Sequence, residues 1–78
     1  MQLGTRWTFG ETPPSRLPAS VVEGIADVEA EINSLTVDAS AWRWTLTYLE
    51  GRPICELDDG TLVSLRSDGR VTIEETAP

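Results

Sequence analysis

Three turn signals follow one another in the C-terminal half of the chain, at Glu50-Gly51, Asp58-Asp59-Gly60 and Ser67-Asp68-Gly69. Each contains a glycine that can adopt the left-handed backbone conformation required by hairpin turns. The runs between them alternate apolar and polar residues, which is the pattern of strands with one buried face. The sequence therefore predicts a four-stranded antiparallel β-meander over residues 41–75.

One pairing register places the apolar residues of all four strands on the same face of the meander. A two-residue turn at Glu50-Gly51 places Leu46 opposite Cys55. Three-residue loops at the two later turns, each with its glycine in the left-handed conformation, place Cys55 opposite Val63 and Val63 opposite Ile73. A two-residue loop at the middle turn would shift the pairing by one residue and turn Val63 outward. We expect the first register, because both later hairpins select the same loop independently.

One amphipathic helix is predicted ahead of the meander, over residues 18–35. Ser20 and Glu23 fit a capping box, and Pro18 also suits the first helical position, so the helix begins near Pro18 or Ser20. Gly24 lies inside the helix, where the lack of a side chain would allow a close approach to the sheet. A single apolar stripe recurs at spacings of three and four residues: Leu17, Val21, Ile25, Val28, Ile32 and Leu35.

The predicted core lies between this stripe and the inner face of the meander, which carries Trp42, Trp44, Leu46, Tyr48, Cys55, Leu57, Val63, Leu65, Val71 and Ile73. Residues 1–17 form an extended N-terminal segment, with a short candidate strand in which Trp7 and Phe9 share a face. These two aromatic residues either close one edge of the core or lie across the outer face of the sheet. The predicted fold is α+β: an N-terminal strand or extended segment, one amphipathic helix, then the meander with the helix on one face, in a single domain over residues 1–78.

Composition restricts the classes of function. The chain carries 13 acidic and 6 basic residues, a net charge of −7, and no histidine. Such a charge disfavours direct binding to nucleic acid or to anionic membranes, because both are recognised by basic surfaces. The single cysteine excludes an internal disulfide, and the sequence shows neither a signal pattern nor a transmembrane stretch. We therefore expect a cytoplasmic protein.

Catalytic motifs are absent from the sequence: it has no glycine-rich phosphate loop, no nucleophile elbow and no C-x-x-C pair. The acidic turn residues lack the spacing of a calcium loop and are typical of turns. Glu56 and Asp58 are expected on the outer sheet face, where Asp58 would form a cross-strand ion pair with Arg43. Cys55 is expected as a packed thiol. The sequence predicts a non-enzymatic protein without cofactor or metal.

The outer sheet face is the first candidate surface for function. The register brings together Arg52, Arg66 and Arg70 on neighbouring strands, beside Leu49, Ile54 and Leu62. Arginines bind carboxylates in a bidentate manner, and an exposed apolar group beside them is typical of a protein-binding surface. The leading hypothesis is a small acidic binding or regulatory protein that acts through this face or through an edge strand. Self-association into a homodimer is a further option.

The exposed face of the helix is the second candidate surface. Glu23, Asp27 and Glu31 follow one another at intervals of four residues and form an acidic ridge. A ridge of this kind resembles the charge of a phosphate backbone. The alternative hypothesis is an acidic inhibitor, antitoxin-like or phage-encoded, that mimics nucleic acid and blocks a basic site on a target protein.

Overall fold

The computed structural model describes residues 5–75 of the chain. Its elements are strand β1 (Thr5–Thr8), helix α1 (Ala19–Asn33), and strands β2 (Arg43–Leu49), β3 (Arg52–Leu57), β4 (Thr61–Leu65) and β5 (Val71–Glu75). The strands form one antiparallel sheet of five strands in the order β1-β2-β3-β4-β5. The helix packs against β4 and β5. The predicted α+β fold is confirmed, and the N-terminal strand joins the meander as its fifth strand.

The predicted register of the meander is also confirmed. Leu46 faces Cys55, Cys55 faces Val63, and Val63 faces Ile73. The two-residue turn has positive φ at both Glu50 (54°) and Gly51 (79°), as the right-handed twist of a tight hairpin requires. Both later loops place their glycine in the left-handed region, with φ of 97° at the middle turn and 89° at the last. The turn residues therefore set the register as the sequence predicts.

The core is closed at the β1 edge by aromatic packing. Trp7 lies opposite Trp44 in the β1–β2 ladder, is 8% exposed, and stacks on the Trp44 ring with centroids 6.3 Å apart. Phe9 is partly buried and meets Trp42 edge-on at 6.4 Å. These two aromatic residues therefore close the edge of the core, and do not lie across the outer face.

Three residues predicted in the core are exposed, namely Leu35 (56%), Tyr48 (48%) and Ile73 (44%). Leu35 lies past the end of α1 at Asn33, so the apolar stripe stops before it. Tyr48 lies near the end of β2, whereas the helix packs on β4 and β5. Ile73 lies on the edge strand β5, which has a neighbour on one side only among the described residues. The helix is thus too short to cover Leu35 and too far from β2 to cover Tyr48, whereas Ile73 is exposed at the open edge of the described sheet.

The helix begins without the predicted capping box. Pro18 is the N-cap, and its carbonyl accepts bonds from Val21 N (3.0 Å) and Val22 N (3.1 Å). No side chain of residues 5–75 forms a capping hydrogen bond at this end, and Ser20 lies inside the first turn. A cap must precede the first helical residue, so a start set by Pro18 leaves Ser20 and Glu23 two positions too late.

Glu29 connects the helix to the sheet, and the sequence pattern did not single it out. Its Oε2 atom accepts hydrogen bonds from Trp44 Nε1 (2.9 Å) and from Gly10 N (3.0 Å). The Trp44 side chain is fully buried, so this carboxylate satisfies an indole N–H that has no access to water. The bonds join α1, β2 and the turn after β1, and so hold the layers in position behind the outer face.

Candidate partner-binding surface

The sheet face opposite α1, called the outer face below, carries the arginines of the sheet. Arg6 lies on β1, Arg43 on β2 and Arg52 on β3, each next to a buried residue that points to the inner face. Arg66 and Arg70 flank the last turn, where Arg66 N donates to Arg70 O (2.7 Å). By contrast, α1 contains acidic residues and no arginine. The net charge of −7 therefore conceals a difference between the two layers: the helix is acidic, whereas the sheet and its last turn carry most of the arginines.

An open concavity of about 340 Å³ lies on the outer face. It is lined by Leu49, Arg52, Ile54, Leu62, Ser64, Leu65, Arg66, Ser67 and Glu74. All the residues predicted for this surface are therefore brought together except Arg70, whose side chain is 83% exposed and lies outside the concavity. Leu49 is 56% exposed, whereas Ile54 and Leu62 are half-buried. The result is an apolar floor bordered by two guanidinium groups.

The three arginines near the last turn differ in their partners. Arg52 pairs with Glu50 at 3.2 Å, and Arg70 pairs with Asp68 at 3.6 Å. Arg66 has no carboxylate within 4.0 Å among residues 5–75. The ion pairs of Arg52 and Arg70 thus reduce the repulsion expected between these like charges on adjacent strands. Arg66 keeps its donors available to a carboxylate from outside the chain.

Asp58 forms a different ion pair from the one that the sequence predicted. Its Oδ1 atom lies 3.7 Å from Arg6 Nη2, and its Oδ2 atom accepts a hydrogen bond from the backbone N of Arg43 (3.0 Å). Asp58 N in turn donates to Arg43 O (3.1 Å). The predicted ion pair with the Arg43 side chain was wrong, because β1 lies beside β2 and brings Arg6 within reach.

Glu74 is the charged residue of this surface that sequence reasoning missed, beside the uncharged Ser64, Leu65 and Ser67. It lines the concavity and faces Leu62 in the β4–β5 register. The same strand alternation that placed Leu62 on the outer face could have found it. Its carboxylate adds a negative charge to the lining of the concavity.

A second, smaller cleft of about 160 Å³ lies between the end of α1 and strands β4 and β5. Its lining combines apolar and acidic side chains: Val28, Glu31, Ile32, Leu35, Asp59, Thr61 and Glu75. Glu23, Asp27 and Glu31 are all exposed, as predicted for the acidic ridge, and Glu31 also borders the cleft. The contributions of Asp59 and Glu75 depend on where the helix packs, so the sequence pattern contained no sign of them.

Cys55 is a packed thiol, as predicted. It is fully buried in β3, and burial raises the pKa of the thiol from an ordinary value of 9.0 to about 11. The folded chain therefore keeps this proton at a pH where the unfolded chain releases it. The contribution of the thiol to the free energy of unfolding is complete below pH 9.0 and decreases as the pH rises to about 11.

We expect the free energy of unfolding of the native chain to fall between pH 9.0 and about 11 by roughly 2–3 kcal/mol more than that of Cys55→Ala. The variant is less stable at neutral pH because it leaves a small cavity, so the slopes are compared and not the absolute values. Urea denaturation at a series of pH values measures the free energy of unfolding of both proteins. Parallel slopes for the two proteins would contradict the prediction.

Within residues 5–75, no group of three or more His, Cys, Asp or Glu side chains is arranged to hold a metal ion. The same part of the chain contains no helix with the length and apolar content needed to cross a membrane. Comparison with known proteins finds no family model, no curated protein and no solved structure that matches this chain.

Proposed function

We propose that this chain is a non-enzymatic protein-binding domain whose outer-face concavity receives a partner segment that combines an apolar side chain with a carboxylate. The supporting observation is the concavity itself, which joins Leu49, Ile54 and Leu62 to Arg66. The Arg66 guanidinium forms no ion pair with a carboxylate of residues 5–75. Binding surfaces commonly place an apolar centre beside arginine.

The two parts of the concavity contribute differently to binding. Covering the half-buried Ile54 and Leu62 removes apolar surface from water, which supplies affinity at about 25 cal/mol per Å² before the costs of association. A bidentate pair between Arg66 and a partner carboxylate supplies orientation and discrimination. Arg52 supports the same charge preference, although Glu50 already neutralises part of its charge.

Capture of partners from a lysate of the producing cells tests this proposal. The immobilised protein is compared with Arg66→Glu and Leu62→Asn, and bound proteins are quantified by mass spectrometry. We expect both variants to retain about one tenth or less of a specific partner, because each removes one part of the recognition. Arg43→Glu, on the same face but outside the concavity, is the matched control and should capture the partner normally. A partner held equally by all four proteins would overturn the proposal.

The smaller cleft, whose lining includes Glu31, Asp59 and Glu75, favours a second candidate function, that of an inhibitor which occupies a basic site on its target. The apolar walls formed by Val28 and Ile32 suit the aliphatic part of a lysine or arginine side chain, and Glu31 and Glu75 suit its charged end. The acidic ridge would add long-range attraction to a basic target.

The same capture experiment separates the two candidates. A target held through the helix side should be lost on washing at high salt, because exposed charge interactions are screened. It should also be lost from Glu31→Gln combined with Glu75→Gln, whereas Glu56→Gln on the outer face should retain it. Retention by the double variant would exclude the cleft.

A further inference from the structure

The sheet ends at β5, whose second edge has no neighbouring strand among residues 5–75. The bond from Arg66 N to Arg70 O shows that the backbone groups of Arg70 point toward β4. In an antiparallel ladder this orientation alternates, so Thr72 and Glu74 also bond to β4. Val71 and Ile73 therefore direct their N–H and C=O groups outward, where another strand can pair with them.

The sequence of β5 is complementary to itself in antiparallel pairing. With Thr72 opposite Thr72 of a second copy, Arg70 lies opposite Glu74, and Val71 lies opposite Ile73. Two-fold symmetry repeats both pairs, so the outer face gains two ion pairs and the inner face gains two apolar contacts. We propose that the partner of this edge is a second copy of the chain, and that the two β5 strands pair in the register centred on Thr72.

Exposure along β5 agrees with this pairing. Ile73 is 44% exposed on the inner face, and an apposed Val71 would cover it. The Arg70 side chain is 83% exposed, and its contact with Asp68 at 3.6 Å is loose. Glu74 is exposed and forms no ion pair with a described residue. The side chains that meet in the proposed dimer are thus accessible in the single chain.

Other registers lose this complementarity. Centring the pair on Ile73 sets Val71 against Glu75, which buries an apolar side chain beside a charge. Centring it between two residues places the inner face of one copy next to the outer face of the other. The register centred on Thr72 is therefore the one that matches both charge and burial.

The opposite edge of the sheet is a poorer site for self-pairing. β1 has four residues, and centring it on Arg6 sets two like charges against each other. Centring it on Trp7 places Arg6 opposite Thr8, which offers no opposite charge. In addition, Arg16 Nη2 donates to Thr5 Oγ1 (2.6 Å), so the connector after β1 lies against this strand. The proposed dimer joins two five-stranded sheets through β5 into one continuous sheet.

Sedimentation equilibrium at protein concentrations up to about 1 mM, in about 0.15 M salt to screen the net charge, tests the proposal. The native chain should dimerise reversibly in the micromolar to millimolar range, since one strand edge is a small interface. Arg70→Glu and Glu74→Arg should each weaken dimerisation about tenfold or more, because each sets like charges opposite one another twice. Arg43→Glu and Glu56→Arg make the same charge changes away from the edge, and should dimerise as the native chain does.

Two further proteins identify the register. An equimolar mixture of Arg70→Glu with Glu74→Arg should dimerise, because opposite charges then meet at both ends of the paired strands. The double variant Arg70→Glu/Glu74→Arg should dimerise with itself for the same reason. Circular dichroism of every variant verifies the fold. We expect it to be unchanged, because these exposed side chains contribute little to the stability of the single chain.

Amide hydrogen exchange measured by NMR gives an independent readout. The N–H groups of Val71 and Ile73 should be protected at high protein concentration and exchange quickly on dilution. Thr72 N–H bonds to β4 and should be protected at both concentrations.

A native chain that stays monomeric at about 1 mM would overturn the proposal. So would a dimer that is unaffected by the single variants, or a mixture that associates no better than its components.

Discussion

Trp44→Ala is expected to lower the free energy of unfolding by about 3–5 kcal/mol, the range for deleting a fully buried aromatic side chain. Trp44 is 0% exposed, stacks on Trp7, and donates to Glu29. A domain of this length has roughly 4–12 kcal/mol of total stability, so this single substitution should remove a large share of it. Urea denaturation followed by far-ultraviolet circular dichroism measures the loss.

Tyr48→Ala is the matched control for this substitution. Tyr48 is an aromatic residue of the same strand, on the same face, but is 48% exposed. We expect a loss below about 1 kcal/mol, because the removed side chain leaves no enclosed cavity. Equal losses for the two variants would show that the centre of the core does not lie at Trp44.

A double-mutant cycle separates the hydrogen bond of Trp44 from its packing. Trp44→Phe removes the indole N–H, and Glu29→Ala removes its acceptor and leaves that N–H buried without a partner, at a cost of about 1–3 kcal/mol. The two losses should therefore be non-additive. Trp7→Phe with Glu29→Ala is the control cycle, because Trp7 Nε1 is buried without a hydrogen-bond partner among the described residues. Its two losses should add.

Gly24→Leu is expected to destabilise the fold by about 2–3 kcal/mol through overpacking. A Cβ atom at this position would lie 3.0 Å from Val63 Cγ1 and 3.2 Å from Val71 Cγ1. Val63 is fully buried and β-branched, so it has little freedom to move aside. The helix would have to move away from β4 and β5, which separates the two layers. Thermal and urea denaturation measure the loss.

Two further variants test how the loss of stability depends on the size of the added side chain and on its position in the helix. Gly24→Ala gains about 1 kcal/mol of helix propensity, which offsets the tight contact, so a net change below about 1 kcal/mol is expected. Ala26→Leu adds a side chain to the exposed side of the same helix and should be near neutral. If Gly24→Leu were as stable as Ala26→Leu, the close approach of helix and sheet would be disproved.

Composition alone gives an incomplete view of the surface. A net charge of −7 predicts repulsion from acidic partners, but all the arginines except Arg16 lie on the outer face or at its strand ends. A partner approaching the concavity meets Arg66, which has no ion-pair partner in the described part of the chain, whereas a partner approaching the helix meets the acidic ridge. The two proposed functions therefore belong to opposite sides of one small molecule.

The meander could be predicted because its information is local. Side chains alternate with a period of two along a strand, so a register error turns a whole apolar set toward solvent. The glycines at positions 51, 60 and 69 supply the left-handed conformations that select each loop. Together these determine which residues of β2 to β5 face one another, and hence that Leu49, Ile54, Leu62 and Arg66 share a face.

The tertiary structure decided what depends on the placement of whole elements. The position of α1 over β4 and β5 left Tyr48 on β2 exposed, and the edge position of β5 left Ile73 exposed. The pairing of β1 with β2 brought Arg6 to Asp58. The hydrogen bond from Trp44 to Glu29 joins β2 to α1. The periodic patterns of a single strand or helix do not reveal such a contact between elements. Local rules determine faces and turns, because they act between near neighbours along the chain. Contacts between layers depend on how rigid elements pack against one another, and only the three-dimensional arrangement contains that information.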